Sequence, residues 1–207
     1  MATTGVQQLN DLGLEQVRLA LAGKTSRPVG DPGLRAAAVL LLVYRKDGHY
    51  CVLLNKRTQE VEFNKGDICL PGGARDAEDA DLQATALRET FEEMGIRPED
   101  VALLGELDET PTRAGFAIRP YVGTIPYPYQ FRPSGPEVAE VLEVPLPSLR
   151  DPRNIREELH LLPDGTQSRA RAYGHGRHLI YGATARILHQ FLQITEPAAL
   201  LQGSFTP

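Results

Sequence analysis

The chain has 207 residues, 42% hydrophobic and 24% charged, with a formal net charge of −5. That length suffices for one domain with a full core, and the composition is that of an ordinary soluble globular protein. The acidic balance excludes a basic nucleic-acid-binding face, and no run approaches the ~20 apolar residues of a membrane span.

Leu14, Val17, Leu19 and Leu21 mark a short amphipathic helix ended by Gly23. Asp11, Glu15 and Arg18 stand where a signal peptide needs an apolar run, so a cytoplasmic location is expected. Residues 24–33 are rich in Pro and Gly and read as a linker, giving an N-terminal segment 1–33 before a domain at 34–195 and a tail at 196–207. Ala36–Tyr44 is a continuous apolar run, as in a strand buried on both faces. Asp47-Gly48 turns it into a second strand, Tyr50–Asn55. Cys51 and Cys69 have no CxxC spacing and read as buried free thiols.

A helix is expected over Leu82–Met94, with Leu87, Phe91 and Met94 as its apolar positions and Gly95 as its C-terminal cap. Strands follow at Val101–Leu107, Phe116–Ile125 and Val138–Val144. A hairpin around Pro163-Asp164-Gly165 and a closing helix from about Ala183 to Gln193 complete the chain. Strands enclosing one central helix, with a second at the end, give an α/β fold with a mixed sheet between helices.

The central helix carries the chemistry. Glu89 lies beside both Glu92 and Glu93 on one helix face, where like charges cost only about 0.2–0.5 kcal/mol per pair. A hard divalent cation that also binds phosphates turns that cost into a gain. The preceding Gly72-Gly73 turn lets a phosphate approach the backbone.

These residues resemble the Nudix hydrolase box, G-x5-E-x7-R-E-U-x-E-E-x-G-U, where U is bulky and apolar. Gly73 opens it, Arg88-Glu89 and Glu92-Glu93 supply its charged pairs, and Gly95-Ile96 close it. Gly73 to Arg88 is fifteen positions rather than fourteen, Asp79 takes the first glutamate's place, and Thr90 replaces an apolar residue. The extra position is similar to the coenzyme A pyrophosphatase branch, in which F-P-G-G-x-x-D-x-x-D precedes the helix. Leu70-Pro71-Gly72-Gly73, Asp76 and Asp79 keep that spacing. The branch's upstream L-L-x-x-R-(S/T) element appears as Leu53-Leu54-Asn55-Lys56-Arg57-Thr58, with Glu62 in place of a second arginine. Tyr181-Gly182-Ala183-Thr184-Ala185 is similar to its closing W-G-A-T-A.

The resemblance implies an α/β/α sandwich and a Mg2+ or Mn2+ ion on Glu89 and Glu93, with Glu92 direct or through water. Arg88 would orient a carboxylate, and Glu137 or Glu140 would supply a further base or ligand. Gly72 and Gly73 would approach the diphosphate. Asp79, before the helix, is expected to cap it. Arg57 and Lys65 are the candidate phosphate contacts, the 3′-phosphate of coenzyme A among them. The implied reaction splits the diphosphate of coenzyme A and its thioesters, with ADP-ribose, NADH or another nucleoside diphosphate derivative as the alternative. Neither a nucleic acid nor a membrane is an expected partner, and assembly as a homodimer stays open.

Overall fold

The computed structural model describes residues 11–60, 65–161 and 166–195. Its spine is β1 (Arg35–Lys46), buried without interruption from Ala37 to Tyr44. Alternate side chains leave a strand on opposite faces, so the run divides between two cores. Val39, Leu41 and Val43 enter one, and Ala38, Leu40, Leu42 and Tyr44 the other.

β1 turns at Asp47-Gly48, both at positive φ, into antiparallel β2 (His49–Arg57). β2 continues onto β3 (Ile68–Cys69) and β8 (Val138–Pro145). β1 also pairs antiparallel with β4 (Gly72–Ala74) and parallel with β7 (Phe116–Thr124). β7 in turn carries β5 (Ala102–Glu106) and β6 (Thr110–Pro111), making an eight-stranded mixed sheet. The parallel β1–β7 pair among antiparallel ones makes it mixed.

Helices cover both faces. On one, α1 (Leu12–Leu21) and α4 (Gly182–Thr195) supply Leu14, Val17, Leu21, Leu188 and Phe191 to the core. On the other, α2 (Leu82–Met94) supplies Ala86 and Met94. The result is the expected α/β/α sandwich. A short helix, α3 (Leu146–Arg150), leads from β8 to an antiparallel three-stranded sheet of β9 (Ile155–Leu161), β10 (Gln167–His175) and β11 (His178–Ile180). Pro163-Asp164-Gly165 and Glu62 lie outside the described residues.

The stretch 24–33 has no regular structure but is anchored. Lys24 and Arg27 pair with Asp108, and the Val29 N–H donates to Glu109. Among the thiols, Cys51 is buried as expected and Cys69 is only partly covered.

Two expectations change. Gly72-Gly73, expected as a turn, belongs to a strand, Gly72–Ala74, paired with Ala37–Val39. On α2 the spacing of apolar residues singles out Phe91, yet Phe91 is 50% exposed while Glu93 is 2% exposed. The helix is rotated so that Thr90, Glu93 and Met94 face inward. Small residues at Ala86 and Thr90 allow that close approach, and hydrogen bonds from the sheet compensate the buried carboxylate.

Candidate active site

Glu93 is the centre of the site. Asn55 on β2 donates from Nδ2 to its Oε2 at 2.9 Å, and the Gly72 N–H donates to the same oxygen at 3.1 Å. Arg57 Nη1 reaches Oε1 at 3.1 Å. Burial nevertheless dominates, and it pushes the Glu93 carboxyl up to about 7, helped by the charges of Glu89 and Glu137 and opposed by the Gly72 N–H and Arg57. Glu89 is also raised, first by burial and then by Glu92 and Glu137, against the pull of Arg88.

That cost gives a pH signature. A carboxyl whose folded pKa lies above its unfolded value stabilises the protein below the unfolded pKa and loses that contribution as pH rises through about 7. Without metal, Glu93→Gln is therefore expected to gain on the wild type by on the order of 2–3 kcal/mol between about pH 5 and about pH 8. Denaturant titrations at the two pH values would measure this. A gap that does not widen with pH would mean that burial costs Glu93 nothing.

Arg88 gathers the other carboxylates. Its Nε and Nη2 grip Asp79 at 2.9 and 3.0 Å, and its Nη1 reaches both Glu89 and Glu92 at 3.0 Å. Asp79 is buried, also accepts from the Asp76 N–H and Thr85 Oγ1, and is held well below the usual carboxylate range by the Arg88 guanidinium. It is therefore not the expected helix cap. Asp81 is, accepting from the Ala84 N–H. Asp79 fails as a cap because Arg88, nine residues on, claims both of its oxygens.

The glycines act through the carboxylates. A Cβ on Gly72 would stand 2.3 Å from the Ala38 carbonyl oxygen and 2.5 Å from Val39 Cα, at a φ of 147°. A Cβ on Gly73 would stand 2.5 Å from Glu89 Cδ, a side chain that can move. Gly72→Ala is accordingly expected to cost about 3 kcal/mol or more, because backbone must shift. Gly73→Ala should keep its Tm within a few degrees while losing most activity through a displaced Glu89. A similar Tm loss in both variants would remove this distinction.

Not every expected residue reaches the cluster. Glu137 is near enough for its charge to act on both Glu89 and Glu93. Glu140 is instead taken by Arg177 at 3.0 Å and His178 at 3.3 Å. Lys65 is exposed in the turn before β3, outside the cluster. Arg57 sits on Glu93 itself. Asn55 was not a sequence candidate, although a polar residue ending the apolar run Cys51–Leu54 is a signal that could have found it.

The donor set suits a hard divalent cation. Glu89, Glu92, Glu93 and Glu137 offer oxygen only, and two of them carry a burial cost that a cation would relieve. As they stand, no three acidic, His or Cys side chains among the described residues converge to hold a metal. Arg88 and Arg57 occupy the carboxylate oxygens that such an ion would use.

The family described as NUDIX domain matches residues 34–158. The chain is 35% identical over 159 residues to "Uncharacterized Nudix hydrolase NudL" of Photorhabdus laumondii, covering 77% of this chain and 84% of that protein. It is 38% identical over 164 residues to the protein of the same name in Cronobacter sakazakii, covering 78% and 84%. A MutT/nudix family protein from Enterococcus faecalis superposes with a TM-score of 0.54 at 13% identity, over 88% of this chain and 74% of that one. A MutT protein from Methanosarcina mazei Go1 gives 0.52 at 16% identity, over 82% and 97%. At these identities the structural likeness shows the fold alone.

Proposed function

The chain belongs to the Nudix hydrolase family, and from that premise we propose that it cleaves the diphosphate bond of coenzyme A and its thioesters. The products are adenosine 3′,5′-bisphosphate and 4′-phosphopantetheine or its acyl form. The observation that carries the chemistry is the buried Glu93, fixed by Asn55 and Gly72 and raised to about 7 beside Glu89 and Glu137. The substrate reading is supported by the Leu53–Thr58 element and the Pro71-Gly72-Gly73 spacing to Asp76 and Asp79. The catalytic unit in this reading spans 34–195, between flanking segments 1–33 and 196–207.

Glu89 and Glu93, with Glu92 beside them, would hold a Mg2+ or Mn2+ ion. When bound, that ion neutralises the diphosphate and lowers the pKa of the attacking water. Arg88 positions Glu89 and Glu92 through one guanidinium nitrogen while Asp79 fixes its other two. Gly73 leaves room for the Glu89 carboxylate against β4. Glu137, beside the cluster and free of the contacts that engage Glu140, takes the proton of the attacking water. Arg57 is assigned to the diphosphate end rather than the 3′-phosphate, because it lies on Glu93.

A substrate panel tests this reading: coenzyme A, acetyl-coenzyme A, ADP-ribose, NADH and nucleoside triphosphates with Mg2+, the products resolved by chromatography. The highest kcat/KM is expected for coenzyme A or its thioester. Preference for ADP-ribose or NADH would overturn the substrate assignment and leave the chemistry standing.

A further inference from the structure

The two oxygens of Glu93 are held in different ways. Oε2 takes two neutral donors of short reach, the buried Asn55 amide at 2.9 Å and the Gly72 N–H at 3.1 Å. Asn55 is fully buried on β2, and Gly72 is locked against β1 by the backbone contacts that leave no room for a side chain. Neither can move away. Oε1 takes Arg57 Nη1 at 3.1 Å, from a long side chain that is 19% exposed.

The Arg57 pose is also incomplete. Its Nε is buried and has no hydrogen-bond partner among the described residues. A buried donor without an acceptor is costly, so this arrangement does not satisfy the guanidinium. Its planar fork suits a phosphate oxygen pair better than one carboxylate oxygen. A cation taking Oε1 would compete with this positive charge for the same oxygen.

Resting on the function proposed above, we infer that Arg57 is a placeholder counter-ion that yields Glu93 Oε1 to the divalent cation and turns its fork to the substrate diphosphate. Asn55 and Gly72 keep Oε2 in place through the exchange, so Glu93 does not reorient. The cation must then bind before Arg57 can help to hold substrate.

Two opposite shifts follow, and they set this role apart from a structural one. Arg57→Met keeps the aliphatic stem and removes the competing charge. Mn2+ binding to the substrate-free variant, followed by electron paramagnetic resonance in about 0.5 M salt to screen distant charges, should tighten by about tenfold. With Mn2+ saturating, KM should rise by about tenfold for coenzyme A and for dephospho-coenzyme A alike, since both carry the diphosphate. Arg57→Gln should show the same pair of shifts.

Unchanged or weaker Mn2+ binding in both folded variants would overturn the inference. So would an unchanged KM, which would mean that Arg57 stays on Glu93. Wild-type Mn2+ binding in Glu93→Gln would instead refute the metal-centre reading beneath it. Loss of binding there, with no tightening in the Arg57 variants, would reject the placeholder role alone.

Discussion

Glu93→Gln is expected to lower kcat by about 10³-fold or more in a protein that still folds. A cation that neutralises a diphosphate and activates water contributes several kcal/mol to the transition state, and about 4 kcal/mol is that factor. Glutamine keeps the shape of the side chain and an acceptor for Asn55 and Gly72, the two donors that fix Oε2. It cannot supply the anionic oxygen. The fold should survive because Glu93 is a liability without metal: burial raises its carboxyl to about 7, so above that pH the wild type carries an uncomfortable charge. Glu89→Gln should behave alike, with a smaller stability effect because Glu89 is less buried. Steady-state kinetics beside denaturant curves would check both, and wild-type turnover in either variant would remove the cluster from the mechanism.

Arg88→Met is expected to damage fold and activity together. Asp79 is buried and draws two of its hydrogen bonds from Arg88. Breaking such a pair from one side leaves an uncompensated charge and costs roughly 3–5 kcal/mol. The lower end, about 3 kcal/mol, is expected here because Arg88 is itself 27% exposed and Thr85 and the Asp76 N–H still serve Asp79. Asp79 has a depressed pKa, so its contribution is present above the unfolded value and is lost as pH falls through the folded one. The variant should therefore lose most of its deficit in strong acid. Adding Asp79→Asn should recover part of the stability while leaving activity low, because Glu89 and Glu92 would still lack the nitrogen that holds them. Full stability in Arg88→Met would contradict the buried-pair reading.

Local signals carried much of the fold. The unbroken apolar run Ala36–Tyr44, the Asp47-Gly48 turn and the Gly95 cap each demand one backbone form, and each is found where expected. What failed to show in sequence depends on partners met only in the folded chain. Glu140 looks like a site residue until Arg177 and His178, 37 and 38 residues later, take it. Asp79 reads as a cap because its claim on Arg88 is made in space. Phe91 reads as core because hydrophobic spacing cannot register that the sheet offers Asn55, Arg57 and Gly72 to a carboxylate. β4 is three residues of Gly72-Gly73-Ala74, too short and too glycine-rich to look like a strand. The acidic triad itself was legible because helical spacing is local, and so was Arg88, which holds Glu89 and Glu92 from the same helix, whereas the residues that hold Glu93 come from β2 and β4.

The central claim is that Glu93 binds a divalent cation as its carboxylate. Titration of the substrate-free protein with Mn2+ by calorimetry, at about pH 6.5 in buffers of different ionisation enthalpy, counts the protons released on binding. With Glu93 raised to about 7, most of one proton should leave per cation in the wild type, and none in Glu93→Gln, where binding itself should be largely lost. Mn2+ binding of equal strength in both proteins, with no proton released, would contradict the claim.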